Sequence, residues 1–153
     1  MSLDNLLGQV ELRDKARVKK DINDTINLVG GVLPKIGTLI QNDGTEHRQI
    51  TLSGTFQIIF RGQTYNIPLE IFVPSFYPHH PPKVYLRPTS NMIVGKNHRH
   101  AGSDGMVYLP ILNSWSESKS IVELLRIMTE VFSECPPLYT KPPNYDPATY
   151  YGS

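Results

Sequence analysis

The sequence predicts an α+β fold, and three features predict it. Helical spacing of apolar residues runs from Leu12 to Val29 and again from Ile121 to Phe132. Two-residue alternation fills most of the stretch between Ile36 and Arg87. Pro88 to Gly105 carries no period at all. The expected order is therefore an N-terminal helix, a four-stranded antiparallel meander, a long loop and a C-terminal helix, with the helices covering one sheet face. A chain of 153 residues is one domain, large enough for a proper core.

In the first helix Val18, Ile22, Ile26 and Val29 make one stripe, while Lys15, Arg17, Lys19 and Lys20 read as a solvated basic face. Asp14, Asp21 and Asp24 dilute that charge, which argues against a membrane-surface role. Gly30-Gly31 and Pro34 are expected to stop the helix. Ile36 to Gln41 is the first strand, and Asn42-Asp43-Gly44 is a strong turn signal. The second strand, Gln49 to Phe60, puts Ile50, Leu52, Phe56, Ile58 and Phe60 on one face, with Gly54 as the gap. After a turn at Arg61-Gly62-Gln63, the third strand alternates through Tyr65, Ile67, Leu69, Ile71 and Val73. Pro68 within it predicts an edge position or a bulge.

Pro74, Pro78, Pro81 and Pro82 exclude interior strand and helix, because each fixes φ and removes a donor. Lys83 to Arg87 returns to strand, with Val84 and Leu86 opposite Tyr85. Lys96 to Asp104 is expected to be the mobile part of the following loop. Ser120-Ile-Val-Glu123 is a capping box for the last helix, whose buried stripe is Ile121, Leu124, Leu125, Met128 and Phe132. Pro136-Pro137 ends it. The rest reads as an extended proline-rich arm, packed at first and then a linker. The division is a domain over 1–142 and the start of a proline- and tyrosine-rich tail over 143–153. Met1-Ser2-Leu3 has the look of an expression scar.

A net charge of +1 argues against nucleic acid as the partner. One cysteine, Cys135, excludes a disulfide framework and fits a reducing compartment. No apolar run reaches transmembrane length and no signal-peptide stretch opens the chain, so a cytoplasmic domain without direct membrane insertion is expected. The pairs His79-His80 and His98-x-His100 lack the four convergent ligands of a structural zinc site, so no metal or cofactor is expected and surface histidine is the default. Cys135 follows Glu134 at a helix C-terminus, the reverse of the setting that activates a cysteine nucleophile.

Two segments carry a family resemblance. Tyr77-Pro-x-x-Pro-Pro-Lys-Val resembles the stretch after the third strand of ubiquitin-conjugating enzymes. Gly105-x-Val-Tyr-Leu followed by Trp115 resembles their active-site segment, Gly-x-Ile-Cys-Leu followed by tryptophan. Tyr108 stands at the catalytic position, and His98-Arg99-His100 stands where the His-Pro-Asn element would be. A phenol is protonated at neutral pH and cannot carry a thioester, so the resemblance is to the inactive variants and Tyr108 reads as a half-buried packing residue. Among these the chain is similar to the domain that begins the vacuolar-sorting subunit of ESCRT-I. The specific stretches are Arg61 to Pro68, Pro88 to Met92 and Pro136 to Tyr139.

That resemblance implies an adaptor with two binding surfaces. A groove for Pro-Thr/Ser-Ala-Pro peptides is implied at Thr55, Phe60, Tyr65, Asn66, Met92, Pro136, Leu138, Tyr139 and Thr140. Phe60 replaces the family tyrosine and Tyr139 the family phenylalanine. The residues alone favour such a groove no more than ordinary packing of Phe60, Tyr65, Met92, Tyr139 and Tyr145. A ubiquitin surface is implied at Ile40, Asn42, Asp43, Phe72 and Tyr85. The implied role is recruitment of ubiquitinated cargo and proline-motif partners to endosomal membranes, with other ESCRT-I subunits held through regions outside the chain. The alternative is the variant type that pairs with an active conjugating enzyme. That type lacks the last helix, which is intact here.

Overall fold

The computed structural model describes residues 2–151. Its elements in chain order are α1 (Leu3–Leu7), α2 (Lys15–Leu28), β1 (Val32–Ile40), β2 (Glu46–Phe60), β3 (Gln63–Val73), β4 (Lys83–Leu86), β5 (Met92–Val94), α3 (Pro110–Asn113), α4 (Ile121–Glu134), β6 (Leu138–Thr140) and α5 (Pro147–Tyr151). The four long strands form an antiparallel meander in the order β1-β2-β3-β4, and β5 and β6 form a separate two-stranded ribbon.

The alternation sets the register. Ile50 pairs with Val73, Leu52 with Ile71, Phe56 with Ile67 and Ile58 with Tyr65. The face they make is covered by α4, whose Phe132 ring lies 6.2 Å from that of Phe56. The expected stripe of α4, Ile121, Leu124, Leu125, Met128 and Phe132, is buried in full. Ser120 caps α4, its hydroxyl accepting from Glu123 N at 3.1 Å. The gap at Gly54 has a steric cause. Its φ is +150°, and a Cβ there would sit 1.9 Å from the carbonyl oxygen of Gly31, so the chain approaches itself where only glycine fits.

Several boundaries differ from the sequence reading. Pro34 lies inside β1, opposite Leu52, and Gly30-Gly31 alone ends the helix. An outer strand tolerates proline because no neighbour needs its N–H. Pro68 is in β3, which is not an outer strand. β4 pairs only from Lys83 to Leu86, and the Pro68 carbonyl accepts from Arg87 N at 2.9 Å just past its end, so the missing donor costs no ladder bond. The loop after β4 contains β5, and the proline-rich arm contains β6 and α5. Tyr151 of α5 donates to the Val94 carbonyl at 2.7 Å, so the arm turns back onto β5. Gly152 and Ser153, also expected in the tail, lie outside the described residues, as does Met1. Ser2 and Leu3, read as part of a scar, are in the fold: the Ser2 hydroxyl caps α1 and Leu3 packs on the core. Five residues are too few to show a helical period, so α1 was not legible.

A polar network ties α2 to α4. Asp21 is 2% exposed; its carboxylate accepts from Arg17 Nε at 2.8 Å and from the Tyr77 hydroxyl. That hydroxyl accepts from Ile121 N at 3.2 Å, the first residue of α4. Burial, then the neighbouring Asp21, pushes the Tyr77 phenol far above its ordinary range, so it remains a donor to the carboxylate. Arg17 also donates to the Glu117 carbonyl at 2.9 Å. Arg17 and Asp21, read as surface charges, thus organise an interior contact.

Candidate functional site: a groove between the sheet and the ribbon

The groove follows from two local events. Arg61 and Gly62 take positive φ of 52° and 79°, a tight turn that brings Phe60 opposite Gln63. Pro136-Pro137 then stops α4, and the chain runs out as β6, pairing Met92 with Thr140 and Val94 with Leu138. A cleft of about 550 Å³ lies between the hairpin end and this ribbon. Of the nine residues expected to form a peptide site it brings together eight: Phe60, Tyr65, Asn66, Met92, Pro136, Leu138, Tyr139 and Thr140. Thr55 lies in an adjoining chamber of about 530 Å³, and Asn66 lines both.

The walls are aromatic and held in place. Tyr65 is 43% exposed, and its hydroxyl donates to Gln63 Oε1 at 2.8 Å. Arg61 stacks over the Phe60 ring at 4.9 Å. Partial burial, reinforced by Cys135 nearby, pushes the Tyr139 phenol above its ordinary value, so it stays a protonated donor at the groove wall. Tyr145, grouped with these aromatics from sequence, is elsewhere: it packs on Tyr150 at 5.8 Å and under Lys141. Ile58, Thr64 and Ile67 also line the cleft and were missed, although the alternation had already put Ile58 and Ile67 on that face.

Behind Tyr139 the backbone of Gly95 leaves no room, and a Cβ there would come within 2.8 Å of the ring. Gly95→Ala is expected to keep the fold, because the 45% exposed Tyr139 ring can swing outward. It should weaken a groove-bound peptide by about fivefold, a partial loss of one aromatic wall. Peptide titration alongside a thermal melt checks both halves.

The second expected surface is only partly open. Ile40 is 68% exposed at the end of β1, next to the Asn42-Asp43 turn. Asp43 Oδ1 accepts from Thr45 N and Oγ1 at 2.9 and 2.6 Å, bonds that hold its carboxylate below the usual range. Phe72 is 2% exposed, which corrects its reading as a contact residue. Tyr85 meets it edge-on at 5.8 Å, and Arg87 lies over both rings while its guanidinium bonds Glu70. Tyr85 and Arg87 form the outer layer, with Phe72 beneath it.

Tyr108 is 50% exposed, its ring against Gly102. Its backbone N donates to the His100 carbonyl at 2.8 Å, and its carbonyl is 3.0 Å from His100 Nδ1. His98, expected to be free on the surface, is partly buried against Phe132 at 5.5 Å. It bridges two segments: its Nδ1 accepts from His100 N, and Nε2–H donates to the Cys135 carbonyl at 2.9 Å. These backbone bonds were not visible because neither has a side-chain partner to leave a pattern. Among the described residues no three histidine, cysteine or acidic side chains converge in a way that would hold a metal ion.

A profile of the UEV domain matches residues 4–140, nearly the whole chain. The chain belongs to the UEV family. Such domains are non-catalytic variants of the ubiquitin-conjugating fold. The UEV domain is 32% identical over 141 residues to the mouse tumor susceptibility gene 101 protein, covering 92% of this chain and 35% of that one. It is 34% identical to protein ELC of Arabidopsis thaliana, covering 94% and 37%. With the zebrafish ubiquitin-conjugating enzyme E2 variant 3 it shares 38% identity, covering 69% and 22%. The chain therefore spans about a third of the length of the first two relatives, or less of the third. Among solved structures, the yeast Vps23 UEV domain in complex with a Vps27 PSDP peptide aligns with a TM-score of 0.72 at 18% identity, covering 89% of this chain and 96% of that one. A complex of the Vps23 UEV with ubiquitin aligns with a TM-score of 0.64 at 19% identity, covering 88% and 97%. At that identity the likeness is one of fold. No helix among the described residues is long and apolar enough to cross a membrane.

Proposed function

We propose that this UEV domain is an adaptor that holds a short Pro-Thr/Ser-Ala-Pro peptide in the sheet–ribbon groove and ubiquitin at the β1–β2 tip and outer sheet face. The observation that carries the reading is the groove itself. Eight separately expected residues, drawn from β2, β3, β5 and the arm, line one cleft. Aromatic walls suit a polyproline segment, which is already ordered and offers flat rings. The two surfaces sit toward opposite ends of β2, a 15-residue strand, so both partners fit at once. The solved relatives named for a proline-containing peptide and for ubiquitin support both halves.

In the full-length protein this domain would work within ESCRT-I, as in the Dictyostelium discoideum relative named an ESCRT-I complex subunit. It would be recruited from the cytoplasm to the endosomal surface by its cargo, with neither membrane insertion nor nucleic-acid contact. Each contact would be weak alone and strengthened by engagement of both on one membrane. The adaptor domain runs over 1–142, and 143–153 begins the tail.

Tyr108 occupies the place of the catalytic cysteine. With activating enzyme, ATP and ubiquitin, the chain should form no reductant-sensitive adduct at Cys135 or elsewhere. A thioester band would sink the adaptor reading. The direct test is fluorescence polarisation with a labelled Pro-Thr-Ala-Pro peptide, against a control with both prolines changed to alanine. Saturable binding to the first alone is expected; equal behaviour of the two would overturn the groove assignment.

A further inference from the structure

The groove does not end at Asn66. That residue lines both the aromatic cleft and the adjoining chamber formed by Gly31, Thr55, Gln57, Arg126 and Thr129. The cleft has apolar and aromatic walls, and the chamber mixes apolar Leu28, Val29, Phe56 and Leu125 with polar Thr55, Gln57 and Thr129. Neither is lined by an acidic side chain, and Arg126 is the one charged residue that lines either.

Arg126 is exposed on α4 and makes no hydrogen bond, ion pair or ring contact among the described residues. Its helix neighbours Glu123 and Glu130 do not pair with it, although an i,i+4 partner is available in Glu130. The other arginine near the groove, Arg61, is committed to the Phe60 ring, and Lys141 lies over the Tyr145 ring. Asp21 and Asp24 share a further cavity with Arg126 but are paired to Arg17 and Lys20. A third negative influence faces the chamber itself. Leu28 and Val29 close α2 there, and a helix C-terminus carries about half a negative charge. That is less than the full charge of the guanidinium, and no bond from Arg126 reaches those carbonyls.

We propose that the groove takes a proline-motif peptide bearing a carboxylate beside the motif, and that Arg126 binds that carboxylate. The ligand class is then an acid-flanked proline peptide, with the aromatic cleft holding the prolines and Arg126 reading the flank. This rests on the peptide-groove reading above and specifies its ligand. An exposed pair of this kind is modest in strength and screened by salt.

The test titrates three peptides with the same Pro-Thr-Ala-Pro core: neutral flanks, two glutamates before the core, and two glutamates after it. One acidic peptide is expected to bind about threefold to fivefold more tightly than the neutral one at low salt. That gain should vanish in Arg126→Gln protein and at high salt, while the neutral peptide binds both proteins equally. Arg126 is exposed, so the variant should fold, which circular dichroism checks. No gain from either flank, or a gain that survives Arg126→Gln, overturns the proposal. Absence of binding by all three peptides overturns the groove reading itself and this inference with it.

Discussion

Tyr65→Ala protein should bind a Pro-Thr-Ala-Pro peptide at least about thirtyfold more weakly than wild type, a loss of about 2 kcal/mol or more. The ring is a pre-positioned wall. It stands opposite Ile58, which is fully buried, and its hydroxyl is pinned to Gln63 at 2.8 Å. A proline ring stacked there would gain apolar contact without freezing a mobile side chain, which is where interface aromatics contribute most. Removing the ring opens one side of the cleft to water. Tyr65→Phe should lose no more than about threefold, because only a rim hydroxyl is deleted. Ubiquitin binding should be unchanged in both, since Tyr65 lies in β3 beside the β2–β3 hairpin, far from the β1–β2 tip. Paired titrations with peptide and ubiquitin decide this. A Tyr65→Ala protein that binds peptide normally would remove the groove from the functional account.

Asp21→Ala is expected to lower stability by about 3 kcal/mol. The substitution strands the buried Tyr77 hydroxyl and leaves Arg17 without its carboxylate. Arg17 is a quarter exposed and can recover some hydration, which holds the loss to the lower end of the range for broken buried pairs. A folded domain of this size has about 5–15 kcal/mol in all, so the loss is large. Asp21→Asn keeps an acceptor for Tyr77 and should lose less. Tyr77→Phe should be costly because Ile121 N and Asp21 both lose a partner. Urea unfolding of the three variants, with the Asp21/Tyr77 double variant closing the cycle, measures the coupling. If Asp21→Ala unfolds within about 0.5 kcal/mol of wild type, like an ordinary surface change, the network does not hold α2 to α4.

Much of the fold was legible because burial on one face writes itself into spacing. The alternation from Ile50 to Val73 specified which residues of β2 and β3 share a face, and the sheet pairs them so. The α4 stripe and its Ser120 cap were readable for the same reason. The prolines were harder. Pro34 was read as a helix stop and Pro68 as the mark of an edge position or a bulge, yet Pro34 lies in β1 and Pro68 in an inner strand, because tolerance of proline depends on whether a neighbour needs that N–H. Strand order decides that, and strand order is not local.

By itself the sequence determined the α+β layout, the Ser120 cap and the turns, and a set of residues scattered over Thr55 to Thr140 that resembles a peptide-binding family. Only the tertiary structure decided that Met92 and Thr140 pair across 47 intervening residues, closing a cleft against Tyr65. It alone covered Phe72 with Tyr85 and Arg87 and turned Arg17 and Asp21 from surface charges into an interior link. The physical reason is one of range. Period, capping and turn chemistry act within a few residues and leave a pattern. A groove wall or a buried ion pair is made by contacts between distant segments, and nothing in either segment alone records its partner.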